Sequence, residues 1–162
     1  VIKLQSLRKH LLASIPALRK DPDRLLTFIE RGAIQFARGQ HLSHQYRVPA
    51  RIVITDLGGS TDVVMIPLLQ WLSHYQPDLD ANEAVRFDAE LLANDRWDLA
   101  IEVTLTERVV AKVNCDEGKI ESEHRMPEFP IDTCPAKHWM LYVKSPSDTD
   151  HQLASEWDSP NG

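Results

Sequence analysis

Two cysteines and seven histidines are the side chains here that could hold a metal ion. Four of them run in the order Cys115, His124, Cys134 and His138, a C-x8-H-x9-C-x3-H spacing. Structural zinc sites present thiolates in close pairs, about two to four residues apart, so that one tight knuckle aims both at a tetrahedral centre. Neither cysteine has such a neighbour, and the four read as ordinary loop and strand residues. His41 and His44 with Asp56 could form a general base and its orienting carboxylate, but no nucleophile is marked out beside them. Gly58-Gly59-Ser60-Thr61 precedes a helix pattern, as an anion-binding nest would, yet it lacks the lysine and spacing of a phosphate loop. Asp21 with Asp23, and Asp88 with Glu90, are carboxylate pairs two residues apart. On a strand each pair would share one face, although strand alternation already explains Asp88 and Glu90 as a solvent face. Trp71, Trp97 and Trp139 fall on the apolar phase of their segments and read as core anchors. The residues therefore imply no catalytic site, metal or cofactor; the competing reading is a small metal-dependent hydrolase built on the histidine, cysteine and aspartate loops.

The elements that must position these residues belong to one domain. The 162 residues, 43% hydrophobic and 26% charged, match a folded globular chain. A net charge of −6, with no basic block, removes the usual electrostatic driver for holding a phosphate backbone. No apolar run is long enough to cross a bilayer, and Val1-Ile2-Lys3-Leu4-Gln5 has no signal-peptide hydrophobic core, so the chain is expected to work in a cytoplasm or in something assembled there. In that compartment two cysteines are expected to remain thiols.

Leu4, Leu7, Leu11, Leu12, Ile15 and Leu18 recur at three- and four-residue intervals and predict an amphipathic helix ending near Ser14, ahead of Pro16. Leu25 to Ile29 and Ile34 to Ala37 flank Arg31-Gly32 and predict a hairpin. Residues 43–56 predict a long strand, bent or at a sheet edge near Pro49. A second helix is capped by Ser60, Thr61 or Asp62, carries Val63, Ile66, Leu69 and Trp71-Leu72 on its apolar face, and stops before Pro77; Pro67 either begins it or kinks its first turn. Val85 to Leu91 and Trp97 to Leu105 form the clearest hairpin, Val109 to Val113 runs on to a turn at Asp116-Glu117-Gly118, and Lys119-Ile120 opens the return strand. His138 to Val143 is the last strand. Residues 146–162 form a polar, extended tail that is mobile unless Leu153 and Trp157 dock. The fold class is α+β: two amphipathic helices on a mostly antiparallel sheet in a single domain over 1–145, with the tail beyond. Leu69, Leu72, Phe87, Leu99 and Ile101 are the expected core.

Five stretches carry a resemblance. They are Leu7 to Leu12, Leu18 to Leu25, Val53 to Leu57, Ile66 to Leu72 with Gln76-Pro77, and Asp98 to Arg108. In this order and spacing the chain resembles the tail completion protein R family of peduovirus-like contractile-tailed phages and prophages, from about residue 4 to residue 145. The resemblance implies a non-enzymatic virion part that finishes the head-proximal end of the tail tube and sheath. It implies a homo-hexameric ring assembled in the host bacterial cytoplasm, with the tube protein, the sheath protein and a head-tail connector or neck protein as partners, and DNA only in passage. The strand Trp139-Met140-Leu141-Tyr142-Val143 is the expected interface, because an unpaired strand edge templates strand addition by a neighbouring chain. Asp78, Asp80, Glu83 and Glu117 are the acidic residues expected to line a lumen that repels phosphate.

Overall fold

The computed structural model describes residues 1–39, 41–80, 82, 84–126 and 134–160. Helix α1 (Ile2–Ser14) ends where the sequence predicts, with Ile15 extended ahead of Pro16. Pro16 opens a further short helix, α2 (Pro16–Lys20), which the sequence reading left out. A 3-10 turn then leads into β1 (Leu25–Ile29), β2 (Ala33–Phe36) and the long β3 (His44–Leu57). After α3 (Asp62–Tyr75) come β4 (Val85–Leu91), β5 (Trp97–Asn114), β6 (Lys119–His124), β7 (His138–Val143) and β8 (Gln152–Asp158). No helix is long and apolar enough to cross a membrane among the described residues.

Strands β1 to β6 form one antiparallel sheet in which β3 and β5 are central, and β7 with β8 forms a separate two-stranded sheet. The hairpin expected around Arg31-Gly32 is absent. Instead β1 and β2 lie one after the other along the same edge of β3, Leu25 opposite Ile54 and Phe36 opposite His44. The break between them falls opposite Val48-Pro49, and a proline has no amide proton to give to a ladder. The β4–β5 hairpin and the β5–β6 return are as expected.

The core lies between the sheet and the helices. From β3 it takes Val48, Ala50, Ile52 and Ile54; from β5 it takes Leu99, Ile101, Val103 and Leu105, the period-two pattern of one covered sheet face. Helix α1 contributes Leu7 and Leu11, and α3 contributes Val64, Leu68, Trp71 and Leu72. Two expected core residues are corrected. Leu69 is exposed, because α3 buries the face through Val64, Leu68 and Trp71 rather than the one through Ile66 and Leu69. Phe87 is exposed as well: it stands opposite Ile101 on the apolar face, but on the edge strand β4, beyond the cover of a helix. Pro67 neither begins α3 nor lies in its first turn; it is buried inside the helix that starts at Asp62.

Residues 152–158 do dock. Trp157 is buried, its indole N–H donating to Gln70 of α3 at 2.7 Å, and Ser155 is buried beside it. The β7–β8 hairpin thus lies on the outer side of the helices, with Leu141 and Ala154 against the core.

Candidate interaction surfaces

The most constrained polar group is Glu107 on β5. It follows Leu99, Ile101, Val103 and Leu105 in strand phase and is buried with them. Its carboxylate accepts the backbone N–H of Ile2 at 3.0 Å and of Lys3 at 2.6 Å, groups that the first turn of α1 leaves without intrahelical partners. His124 of β6 adds a third contact through Nδ1 at 2.5 Å. Burial pushes the Glu107 pKa up, but the Lys3 and Ile2 amides and His124 outweigh it and hold the carboxyl below its ordinary value. Lys3 Nζ donates to the Tyr75 carbonyl at 3.0 Å and Gln76 Oε1 at 2.9 Å, and Gln76 in turn donates to Thr106 Oγ1 at 2.6 Å. Burial lowers the Lys3 pKa, against the attraction of Asp78 and Glu107. The start of α1 and the end of α3 are therefore fastened at one level of the sheet, Thr106-Glu107.

At the opposite end of β3, Asp56 adopts a left-handed backbone at the irregularity between Ile54 and Leu57. Arg96 donates to its carboxylate at 2.6 Å and to its carbonyl at 2.6 Å, and Arg24 also reaches that carbonyl. The hydrogen bond from Arg96 holds the Asp56 carboxyl below its usual range. A side chain at Gly58 would strike Arg96 Nη1 at 2.7 Å, so the glycine of the candidate anion nest makes room for an arginine. His44 sits at the other end of this strand, twelve residues away, about 40 Å along an extended chain. His44 Nδ1 meets the Leu42 carbonyl and His41 Nδ1 accepts the Ser43 N–H, so the base-and-orienter set is not brought together.

Among the described residues the expected interface strand β7 pairs with β8 and with no other strand. Trp139, Leu141 and Val143 are half-buried on the inner phase, whereas Met140 and Tyr142 are exposed on the outer one. Its first residue, His138, bonds Asp158 through Nδ1 and Glu156 through Nε2, each at 2.9 Å. Asp158, then Glu156, raise its pKa above the ordinary histidine value. A cleft of about 1060 Å³ separates β8 from α1, with Lys9, Ala13, Arg19, Leu153 and Glu156 among its walls.

The remaining expected residues scatter. Asp78 and Asp80 are exposed on the connection after α3, where Asp78 accepts from Gln76 at 2.8 Å, and Glu117 is exposed in the β5–β6 turn. Glu117 lies some 30 Å further along the sheet by strand rise, so the structure does not group it with the other two. Glu83 lies outside the described residues. Cys115 and Cys134 are exposed free thiols, and among the described residues no group of three or more His, Cys, Asp or Glu is placed to hold a metal. Glu107 was the residue missed, and its signal was available: a carboxylate in the apolar phase of the best-patterned strand.

The family model for the P2 phage tail completion protein R (GpR) matches residues 1–129. The Tail completion protein R of Escherichia phage P2 is 27% identical over 163 residues, covering 98% of this chain and 99% of that protein. No solved structure matches.

Proposed function

The chain belongs to the phage tail completion protein R family, and from that premise we propose that it caps the head-proximal end of a contractile tail as a ring of six copies. The observation that carries this is the end-to-end match to a tail completion protein, covering nearly the whole of both chains. In this reading the ring seats on the tail tube and sheath proteins and receives the connector or neck of the head, without chemistry. The free edge of β7, with Trp139 to Val143, supports strand addition by a sheath neighbour, since unpaired backbone groups on an exposed edge template a further strand. At −6 per chain the ring repels passing DNA instead of holding it.

Two measurements test the proposal. Electron microscopy of intact tails is expected to find six copies at the head-proximal end; another copy number, or a place at the baseplate, overturns it. Phage lacking the chain is expected to accumulate filled heads and unjoined tails, and normal joining without it would be equally damaging.

A further inference from the structure

The β7–β8 hairpin has a second edge, and it opens into the cleft beside α1. The successive residues Leu153 to Pro160 line that cleft of about 1060 Å³, whereas β7 contributes His138 among the described residues. The pairing pattern says which backbone groups face it. Ser159 donates its N–H to the Lys137 carbonyl at 2.9 Å, and in an antiparallel pair such bonded positions recur at every second residue. Trp157 opposite Trp139 and Ser155 opposite Leu141 are therefore the bonded pairs, and Glu156 and Asp158 turn their N–H and C=O groups away from β7. Arg19 of α2 donates to the Glu156 carbonyl at 3.4 Å, which sets this edge toward the helices. Among the described residues no strand and no other hydrogen bond takes up these backbone groups. Helix α1 forms the opposite wall through Gln5, Ser6, Lys9 and Ala13. Its length from Ile2 to Ala13, roughly 16 Å, matches about five residues of extended chain. A buried group points the same way. Ser155 lines the cleft at 4% exposure, and its hydroxyl has no hydrogen-bond partner among the described residues, a state in which buried polar groups are seldom left.

We propose that the cleft takes up an extended, acidic segment of another protein, which adds to β8 as a third strand and lies between it and α1. Strand addition satisfies the outward backbone groups of Glu156 and Asp158, and Arg19 leaves the Glu156 carbonyl to meet a side chain. The charges choose that side chain. The carboxylates of Glu156 and Asp158 are already tied to His138. Lys9 and Arg19, on the helix wall, have no carboxylate partner among the described residues, and neither α1 nor α2 contains an Asp or Glu. A segment with carboxylates supplies what that wall lacks. One residue of the added strand stands directly opposite Ser155, about 5 Å away between Cβ atoms, and a polar side chain there gives the hydroxyl its partner. The site lies on the other side of the hairpin from the β7 edge and does not rest on the ring reading.

NMR of the isotope-labelled full chain tests it, with two acetylated, amidated hexapeptides as probes, one alternating valine with aspartate and the other valine with lysine. The aspartate peptide is expected to shift the amides of Glu156 and Asp158 and to slow their hydrogen exchange, with a Kd below about 1 mM. The lysine peptide should bind at least about tenfold more weakly. Lys9→Glu combined with Arg19→Glu, both at exposed positions, should reverse that order and leave the unfolding midpoint in place. Methylating the backbone nitrogens of the aspartate peptide should abolish binding. Glu156→Pro should do so too, since it removes an outward N–H and none that β7 uses; the methylated peptide decides the point should that variant fold poorly. No binding at about 5 mM peptide, equal binding of the two peptides, or shifts that spare Glu156 and Asp158 overturns the proposal.

Discussion

Strands β3 and β5 pass through two regions that the same alternation builds and that end differently. In one, Val48 to Ile54 and Leu99 to Leu105 lie under α1 and α3 and are closed to water. In the other, an arm where Val109 and Ala111 stay buried, the same face runs on through Tyr46, His44 and Val113, only half-buried, and is joined by the exposed Ile34 and Phe36. Alternation therefore reports which face of a strand is apolar; whether that face is covered depends on where a helix begins and ends. Here Glu107 fixes where α1 begins, because its carboxylate takes up the free amides of the first turn at one point on the sheet. A strand residue thereby fixes the start of a covering helix.

The comparison breaks most readily by truncation. Ile101→Ala, in the covered region, is expected to cost about 2 to 5 kcal/mol in urea unfolding, from lost transfer energy and the cavity left behind. Ile34→Ala, on the arm, should stay within about 0.5 kcal/mol, as surface changes usually do. Equal losses would mean that the arm is covered in solution by the chain itself. At the start of α1, Glu107→Ala should cost about 3 kcal/mol, since it strands the Ile2 and Lys3 amides and leaves Asp78 alone to attract the buried Lys3. Amide exchange is expected to quicken at Ile2 and Lys3 more than at Leu11, and uniform quickening would remove Glu107 from its role at the start of α1.

Most elements were legible in the sequence because their signals are local: Pro16 stops α1, the Asp116 to Gly118 turn separates β5 from β6, and the apolar phase of β5 marks its buried face. Partners were less legible. The two short strands beside Arg31-Gly32 suggest a hairpin to each other, and only the proline of a distant strand explains why they share an edge of β3 instead. Ile66 and Leu69 are as apolar as Val64 and Leu68, so helical periodicity alone could not choose between overlapping faces of α3. The docking of Trp157 depends on Gln70, 87 positions earlier. Of the candidate site, the β7 strand was legible, whereas the Glu107 fastening needs three segments that only the fold brings together.

Acid should loosen the covered region through His10. Burial holds its pKa down at about 4 from an ordinary 6.5, against a hydrogen bond from Nε2 to the Pro67 carbonyl that raises it. Between those values the unfolded chain binds a proton that the folded chain does not, so stability rises with pH across that window and is complete above 6.5. The lowered Glu107 pKa has the same sign: its contribution is present above the ordinary carboxylate range and is lost as pH falls through the folded value. Up to roughly 3 kcal/mol comes from a histidine shift of this size. His10→Gln keeps a donor for Pro67 and should flatten the stability profile between pH 4 and 6.5; an unchanged slope would place the titrating group elsewhere.

The smallest effect belongs to the hairpin laid over the helices from outside. His138 is tied to Asp158 and Glu156 at the surface, and both raise its pKa. Its contribution is thus present below the ordinary histidine pKa and is lost as pH rises through the higher folded value. All three side chains are open to solvent, where such pairs add little to stability. The expected reading is therefore spectroscopic: proton NMR should place the His138 titration above 6.5, and Asp158→Asn should bring it back toward that value with no change in the unfolding midpoint. A His138 titration that ignores Asp158→Asn would mean that the cross-strand pair does not form in solution, leaving buried Trp157 and its bond to Gln70 as the principal fastening of this outer sheet.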